Sequence, residues 1–198
     1  MNLLIIGSGA REHAFTLKIF NSKHDVTMFV TNANPAISNI ANDIKLDISN
    51  FSKLKEIIIL HTISFVVVGP EIPLINGITD FISKDIDLKH VHVIGPSKEG
   101  AKLEGSKEFA KNFMLKYNIP TASFRSFDKS TLNEAIQFIK ENKPPYVLKA
   151  DGPAAGKGVV IVNTTDEAIY NLEEMLLNSK FGKSSNKVVV EEFLDGIE

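Results

Sequence analysis

Residues 146–162, YVLKADGPAAGKGVVIV, constrain the fold of this chain more than any other stretch. Tyr146-Val147-Leu148 and Val159-Val160-Ile161-Val162 are apolar, β-branched runs of strand type, and Gly152, Pro153, Gly156 and Gly158 punctuate the turn between them. The pattern predicts a hairpin with a long, glycine-bearing tip. Glycine has no Cβ and reaches positive φ at little cost, so such a tip lets backbone N–H groups come close to an anion, while Lys149 and Lys157 bring positive charge. The implied ligand is a polyphosphate. A solvated surface hairpin accounts for the same residues without a ligand, and the local pattern leaves both open.

Spacing excludes a Walker loop. That loop needs four residues between its glycine and Gly-Lys, then Ser or Thr to hold Mg²⁺, then a helix. Here Gly152 and Gly156 enclose three residues, Gly158 follows Lys157, and the next element has a strand pattern. Lys149 closes an apolar strand, where a lysine is costly to bury without an anionic partner.

The run Ala150-Asp151-Gly152, with Gly156-Lys157-Gly158 after it, resembles the nucleotide-binding lobe of the ATP-grasp ligases, in which a flap closes over ATP between two α+β lobes. Within that superfamily it looks like the phosphoribosylamine-glycine ligase family. The resemblance implies ATP contacts at Lys149, Gly152, Gly156, Lys157 and Gly158.

Composition narrows the remaining classes. With 198 residues, 43% apolar and 23% charged, the chain suits one or two soluble globular domains with a buried core. A formal net charge of −2 gives no reason to expect nucleic acid or an anionic membrane as partner. Cysteine is absent, which removes disulfides, thiolate metal sites and a cysteine nucleophile together. The apolar run Leu3 to Ile6 lacks a basic flank and is too short for a signal sequence or a membrane span, so a cytoplasmic location is expected.

The first half reads as an α/β, Rossmann-like domain with a parallel sheet. Residues 2–6, the turn Gly7-Ser8-Gly9 and the helical pattern Ala14, Leu17, Phe20 form a first βα unit whose helix N-terminus can receive an anion. The dinucleotide fingerprint is incomplete, because Glu12 stands where the third glycine belongs and the strand 26–30 ends in Thr31-Asn32 rather than an acid. Further strands are expected at 65–68 and 91–94, with helices over 51–60 and 73–83. By residue type alone, Arg11 and Glu12 read as an ion pair at the helix start and His13 as a satisfied helix histidine. Glu71 reads equally as a helix cap and as a ligand contact. His90 and His92 share one face of a strand without further ligands, so no metal is expected there.

Two of these segments resemble the same family. Gly7 to Ala14 is similar to its G-x-G-G-R-E-H-A, with Ala10 replacing a glycine, and Gly69 to Gly77 is similar to its G-P-E-x-P-L-x-x-G. The resemblance implies substrate contacts at Gly9, Arg11, Glu12 and Glu71. Asn32-Ala33-Asn34-Pro35-Ala36 departs from the family's G-N-A-G, and turn chemistry alone accounts for it.

In the second half, Leu103, Phe109, Phe113 and Leu115 predict a helix across 99–118, stopped by Asn118-Ile119-Pro120 with Asn118 suited to a left-handed cap. Strands are expected at 122–127, 146–150, 159–162 and 187–193, and helices at 132–141 and 167–177, together an α+β lobe. Thr131 with Glu134, and Thr164 with Glu167, read as capping boxes. Leu103 to Lys111 resembles the family's L-E-G-S-K-x-x-A-K, which implies a phosphate contact at Lys107; by itself that residue reads as a solvated helix lysine. The acids after Val190 read from pattern as gatekeepers of an edge strand. By resemblance they form a hinge for adenine, with the Glu191 side chain and the Glu192 carbonyl accepting from the amino group. The same likeness places the Leu194 N–H on the ring and Glu198 on the ribose hydroxyls.

The expected division is a Rossmann-like substrate domain at 1–103, a connecting helix at 104–121, a small ATP-grasp lobe with its flap at 122–194, and at 195–198 the start of a second lobe. The resemblance implies an enzyme that joins glycine to 5-phosphoribosylamine through glycyl phosphate, a monomer at full length, with Mg²⁺ or Mn²⁺ held by residues beyond Glu198. Two other readings stay open: another ATP-grasp enzyme of purine synthesis or carboxylation, and a non-catalytic nucleotide-binding fragment.

Overall fold

Alternating apolar strands and amphipathic helices at the start of the chain, followed by strands that pair as hairpins, produce two different sheets. A computed structural model describes residues 1–154 and 156–197, and its contacts divide the chain into Met1–Ala101 and Lys102–Glu198. In chain order the first unit contains β1 (Asn2–Ile6), α1 (Ala10–Phe20), β2 (Thr27–Thr31), α2 (Pro35–Ser38), β3 (Asn42–Ile44), α3 (Phe51–Leu60), β4 (Phe65–Val68), α4 (Glu71–Asn76), α5 (Ile78–Lys84) and β5 (His92–Ile94). The division itself falls within α6 (Lys98–Gly105).

These five strands are parallel, in the order β3-β2-β1-β4-β5. Side chains alternate across a strand, so β1 is buried on both faces. Leu4 and Ile6 pack with Leu54, Ile58, Ile78 and Ile82, while Leu3 and Ile5 pack with Val30 and Ile37. The chain steps outward from β1 to β3, then crosses back to place β4 on the other side of β1. Strand order therefore reverses between β1 and β4, the position where open α/β sheets receive ligands.

Three local departures from expectation have identifiable causes. The expected helix over 73–83 is two helices, because Gly77 at φ +93° ends α4 and starts α5. β3 was not anticipated: Asn42-Asp43-Ile44 is a polar edge strand with one apolar residue, so it carries no alternation to read. The loop after β2 contains α2, whose cap is Asn34; its side chain accepts from the N–H groups of Ala36 and Ile37 at 3.0 Å.

The second unit runs α7 (Lys107–Lys116), β6 (Phe124–Asp128), α8 (Leu132–Glu141), β7 (Tyr146–Ala150), β8 (Val159–Val162), α9 (Thr165–Leu176) and β9 (Lys187–Glu192), with a 3₁₀ turn at Gly182–Asn186. Its sheet is antiparallel in the order β6-β9-β7-β8, and β7 pairs with β8 as the expected hairpin. Tyr146, Leu148, Ala150, Val188 and Val190 pack with Ala135, Ile139, Ala168 and Leu172 of α8 and α9. Alternation sends Val147, Lys149, Val189 and Glu191 to the opposite face, in register with Ile161 and Val159.

The single helix expected across 99–118 is broken at Ser106. Its backbone is extended (φ −143°, ψ 118°), and its hydroxyl accepts from the Phe109 N–H at 3.1 Å as the cap of α7. Asn118 does adopt the left-handed conformation, at φ +54°. The first strand of this unit begins at Phe124 rather than at 122. The Thr131 box does not form: Asp128 instead accepts from the N–H groups of Ser130 and Thr131 in a 3₁₀ turn ahead of α8, and Glu134 pairs with Arg125.

Thr164 caps α9 as expected, accepting from the Glu167 N–H at 3.3 Å, although the Glu167 carboxylate takes the Thr164 hydroxyl at 2.9 Å rather than a backbone N–H. Thr164→Ala is expected to lower stability by about 1 kcal/mol, read as a lower urea midpoint with unchanged slope. A midpoint equal to wild type would remove the cap from the account of α9. Among the described residues, no helix is long and apolar enough to cross a membrane.

Candidate functional site

In the first unit the predicted contacts gather at the carboxyl ends of β1 and β4. The turn after β1 is held by side chains from neighbouring loops: Gly7 N–H donates to Thr31 Oγ1 at 2.8 Å, and the Asn34 amide donates to the Ser8 carbonyl at 2.8 Å. Glu12 is only 5% exposed and turns back to accept from the Gly9 N–H at 2.6 Å. Arg11 donates to the Gly69 carbonyl, joining the turn after β1 to the turn after β4. The Arg11–Glu12 ion pair open from sequence is not formed among the described residues. Each partner has a better use, Glu12 as the cap of α1 and Arg11 as a strap across the switch in strand order. Glu71 opens α4, half-buried, with no side-chain hydrogen bond among the described residues.

In the second unit the sheet face opposite the helices carries a compact charge cluster. Glu191 is 6% exposed, and its Oε2 accepts from Lys149 Nζ at 2.9 Å and lies 3.1 Å from Lys111 Nζ. Its other oxygen, Oε1, is buried and has no hydrogen-bond partner. A buried acceptor left unpaired costs about 1–3 kcal/mol, so this atom marks a place built for a donor. Lys149 was expected to need an anionic partner. Glu191 supplies it, which leaves two N–H donors of Lys149 for a ligand.

Lys107 opens α7 and reaches the carbonyls of Asp151 and Gly152 at 3.4 and 3.3 Å. Burial pulls its ammonium below the usual lysine range; Asp151 opposes that shift and the charge of Lys149 adds to it. An arriving phosphate would relieve both the desolvation and the repulsion. The Asp151 carboxylate accepts from the Ser106 hydroxyl at 3.1 Å and the Glu108 N–H at 2.8 Å, docking the start of α7 on the base of the hairpin tip.

Within the tip, the Gly152 N–H donates to the Ser184 carbonyl at 3.2 Å and the Lys157 N–H to the Ala154 carbonyl at 2.9 Å. These two N–H groups are committed inside the fold, so charge carries more of any phosphate contact here than backbone donors do. A Cβ on Gly158 would stand 2.6 Å from that of Ala154, and that close approach explains the glycine by itself. Gly156 is open, with nothing within 4 Å of a Cβ and φ +76°, and Lys157 is exposed.

At the hinge, the Glu192 side chain accepts from the Ser123 N–H at 2.9 Å, which holds its carboxyl below the usual range. Leu194 follows β9 and is exposed; Glu198 lies outside the described residues. A cavity of about 140 Å³ lies beside the hinge, lined by Ser123, Tyr146, Glu191, Glu192 and Phe193 among others. A larger hollow of about 520 Å³ in the first unit, lined by Phe51, Gly77, Asp80 and Lys98 among others, holds none of the predicted contacts. Size does not locate the chemistry here.

From sequence, Lys111 carries no role beyond its place in the family motif, and Asp151, Val147 and Ile161 carry none. Lys111 is 8% exposed, and only the pairing of distant segments brings it to Glu191. Val147 and Ile161 flank the cluster by cross-strand register, which the alternation of the two strands already contained. Among the described residues, no group of three or more His, Cys, Asp or Glu side chains is placed to hold a metal ion. The unpaired Oε1, the spare donors of Lys107 and Lys149 and the apolar flanks suit a nucleotide base and its phosphates.

Comparison with known proteins identifies the family of both halves of the chain. A family model described as phosphoribosylglycinamide synthetase, N domain, matches residues 1–104, and one described as phosphoribosylglycinamide synthetase, ATP-grasp (A) domain, matches residues 105–198. Phosphoribosylamine–glycine ligase of Caldanaerobacter subterraneus is 40% identical over 198 residues, covering 100% of this chain and 46% of that protein. The crystal structure of the Thermotoga maritima phosphoribosylamine–glycine ligase superposes with a TM-score of 0.78 at 31% identity, over 100% of this chain and 45% of that one. The biotin carboxylase domain of Hydrogenobacter thermophilus 2-oxoglutarate carboxylase, at 18% identity and a TM-score of 0.70, shares the fold over 98% of this chain and 44% of its own. The chain thus spans about half the length of the curated relatives it matches.

Proposed function

This chain belongs to the phosphoribosylglycinamide synthetase family, and we propose that it supplies the amine-substrate and nucleotide-binding parts of a cytoplasmic, monomeric ligase that joins glycine to 5-phosphoribosylamine. The observation that carries the reading is the Glu191 carboxylate, with one oxygen held by two lysines and the other buried without a donor. The adenine amino group supplies that donor, the Glu192 carbonyl accepts its second hydrogen, and the Leu194 N–H donates to the ring. Val147 and Ile161 flank the base.

Lys107 and Lys149 neutralise the phosphates as the γ-phosphoryl group passes to the glycine carboxylate and ADP leaves. The amine nitrogen of phosphoribosylamine, bound through Gly9, Arg11, Glu12 and Glu71, then attacks the acyl carbon. Phosphate departs with the bonding pair of the acyl–oxygen bond, and the nitrogen loses a proton. No side chain becomes covalently bonded; positioning and charge neutralisation carry the rate. The tip bearing Gly152, Gly156, Lys157 and Gly158 closes over the phosphates and keeps water from the acyl phosphate. ATP-dependent transfer of this kind uses Mg²⁺ or Mn²⁺. The described residues offer no cluster of His, Cys, Asp or Glu for such an ion.

In the full protein, ADP release is expected only when glycine and phosphoribosylamine are both present. Release with neither, or with bicarbonate or formate in place of glycine, would overturn the substrate assignment in favour of another ATP-grasp activity. Lys149→Ala is expected to weaken ATP binding by about 10- to 100-fold, the worth of a charge-assisted hydrogen bond. Unchanged affinity would remove Lys149 from the phosphate site.

A further inference from the structure

We propose that Lys111 is a positioning residue that makes the hinge selective for a 6-aminopurine, by fixing which oxygen of Glu191 faces the base. The proposal rests on the nucleotide reading above and deepens it. A lysine ammonium carries three N–H donors. Lys111 gives two of its donors to Thr121 Oγ1 at 2.9 Å and the Ala122 carbonyl at 3.2 Å, and its ammonium forms an ion pair with Glu191 Oε2 at 3.1 Å. Its side chain is 10% exposed, so it is turned into the fold rather than toward a ligand.

Lys149 contrasts with it at every point. Its side chain is 29% exposed and binds the same Oε2 with a single donor. A part-exposed lysine without further partners holds a carboxylate in place poorly, whereas the buried Lys111, anchored by Thr121 and the Ala122 carbonyl, pins it. With Oε2 claimed from two sides, Oε1 is left as the free acceptor.

Adenine offers an N–H donor at C6, and hypoxanthine offers a carbonyl oxygen there. A fixed carboxylate oxygen accepts from the first and repels the second, so the orientation of Glu191 becomes selectivity. Without Lys111, the carboxylate keeps only its bond to Lys149 and is free to turn.

The test is calorimetric binding of ATP and of inosine 5′-triphosphate to the full protein, with thermal unfolding recorded in parallel. Wild type is expected to prefer ATP by ~100-fold or more. Lys111→Met is expected to cut that preference by ~10-fold or more, through loss of ATP affinity with little change for the inosine nucleotide. Loss of folding would weaken both nucleotides alike, so the ratio isolates the positioning role. Thr121→Val keeps the lysine but removes one of its anchors, and is expected to move the ratio the same way by a smaller factor. A Lys111→Met protein that keeps its preference, or that loses both nucleotides in equal proportion, overturns the proposal. A wild-type protein that does not distinguish the two nucleotides overturns the adenine reading itself.

Discussion

Gly69→Ala is expected to destabilise the first unit by about 2–4 kcal/mol, the sum of an overpacked contact and a lost helix cap. A Cβ at position 69 would stand 1.9 Å from Glu12 Oε1 and 2.6 Å from its Cδ, separations that no pair of non-bonded atoms tolerates. The usual escape, rotation of a flexible side chain, is closed here. Glu12 is wedged between Gly69 and Gly7, where a Cβ would already lie 2.9 Å from the same Cδ, and it is 5% exposed. Moving the carboxylate also strips the Gly9 N–H of its acceptor. Moving Gly69 instead disturbs its N–H bond to Ile6 and the carbonyl that receives Arg11. Chemical denaturation measures the loss. The double variant Gly69→Ala with Glu12→Ala separates the causes: if the clash is the source, the pair costs less than the sum of the single variants. A Gly69→Ala protein within about 0.5 kcal/mol of wild type would show that the turn after β4 has slack.

The same residue shows where the sequence is legible and where it is not. Glu12 stood out as a departure from a glycine fingerprint, but its use depends on Gly69, which lies beyond three intervening strands and helices. Apolar runs such as 2–6, 65–68, 146–150 and 159–162 declare themselves because burial on one or both faces forces their composition. β3 did not, because an edge strand of Asn42-Asp43-Ile44 buries too little to need an apolar run. The breaks at Gly77 and Ser106 were visible as residue types, but apolar residues on both sides of each allow an uninterrupted helix. Thr131 does not cap α8, because its hydroxyl is taken by the 3₁₀ turn ahead of the helix, where it accepts from the Asp128 N–H while Asp128 accepts from Ser130 and Thr131. Lys149 was correctly identified as a lysine needing an anion, but the reading stopped at a phosphate because no local signal connects it to Glu191, its partner on the neighbouring strand.

That pairing sets up the second large effect. Glu191→Leu alone is expected to cost about 3–5 kcal/mol, because it leaves the Lys111 ammonium buried without its counter-charge. Lys149, with more than a quarter of its side chain in water, can rehydrate and contributes little to that loss. Glu191→Leu combined with Lys111→Met removes both buried charges and fills the space with apolar side chains. The double variant is expected to return to within about 1 kcal/mol of wild type, or to exceed it, since two ions cost more to desolvate than one contact between them returns. The residual deficit comes from Thr121 Oγ1 and the Ala122 carbonyl, which lose the donors they now receive. ATP binding by the double variant is nonetheless expected to weaken by about 10- to 100-fold, because the proposed acceptor for the adenine amino group is gone. Stability restored with binding weakened would mean that the cluster is kept for recognition at a net energetic disadvantage to the fold. A double variant as unstable as Glu191→Leu would mean that the ion pair itself holds β9 against α7, and recognition would then be a secondary use of a structural contact.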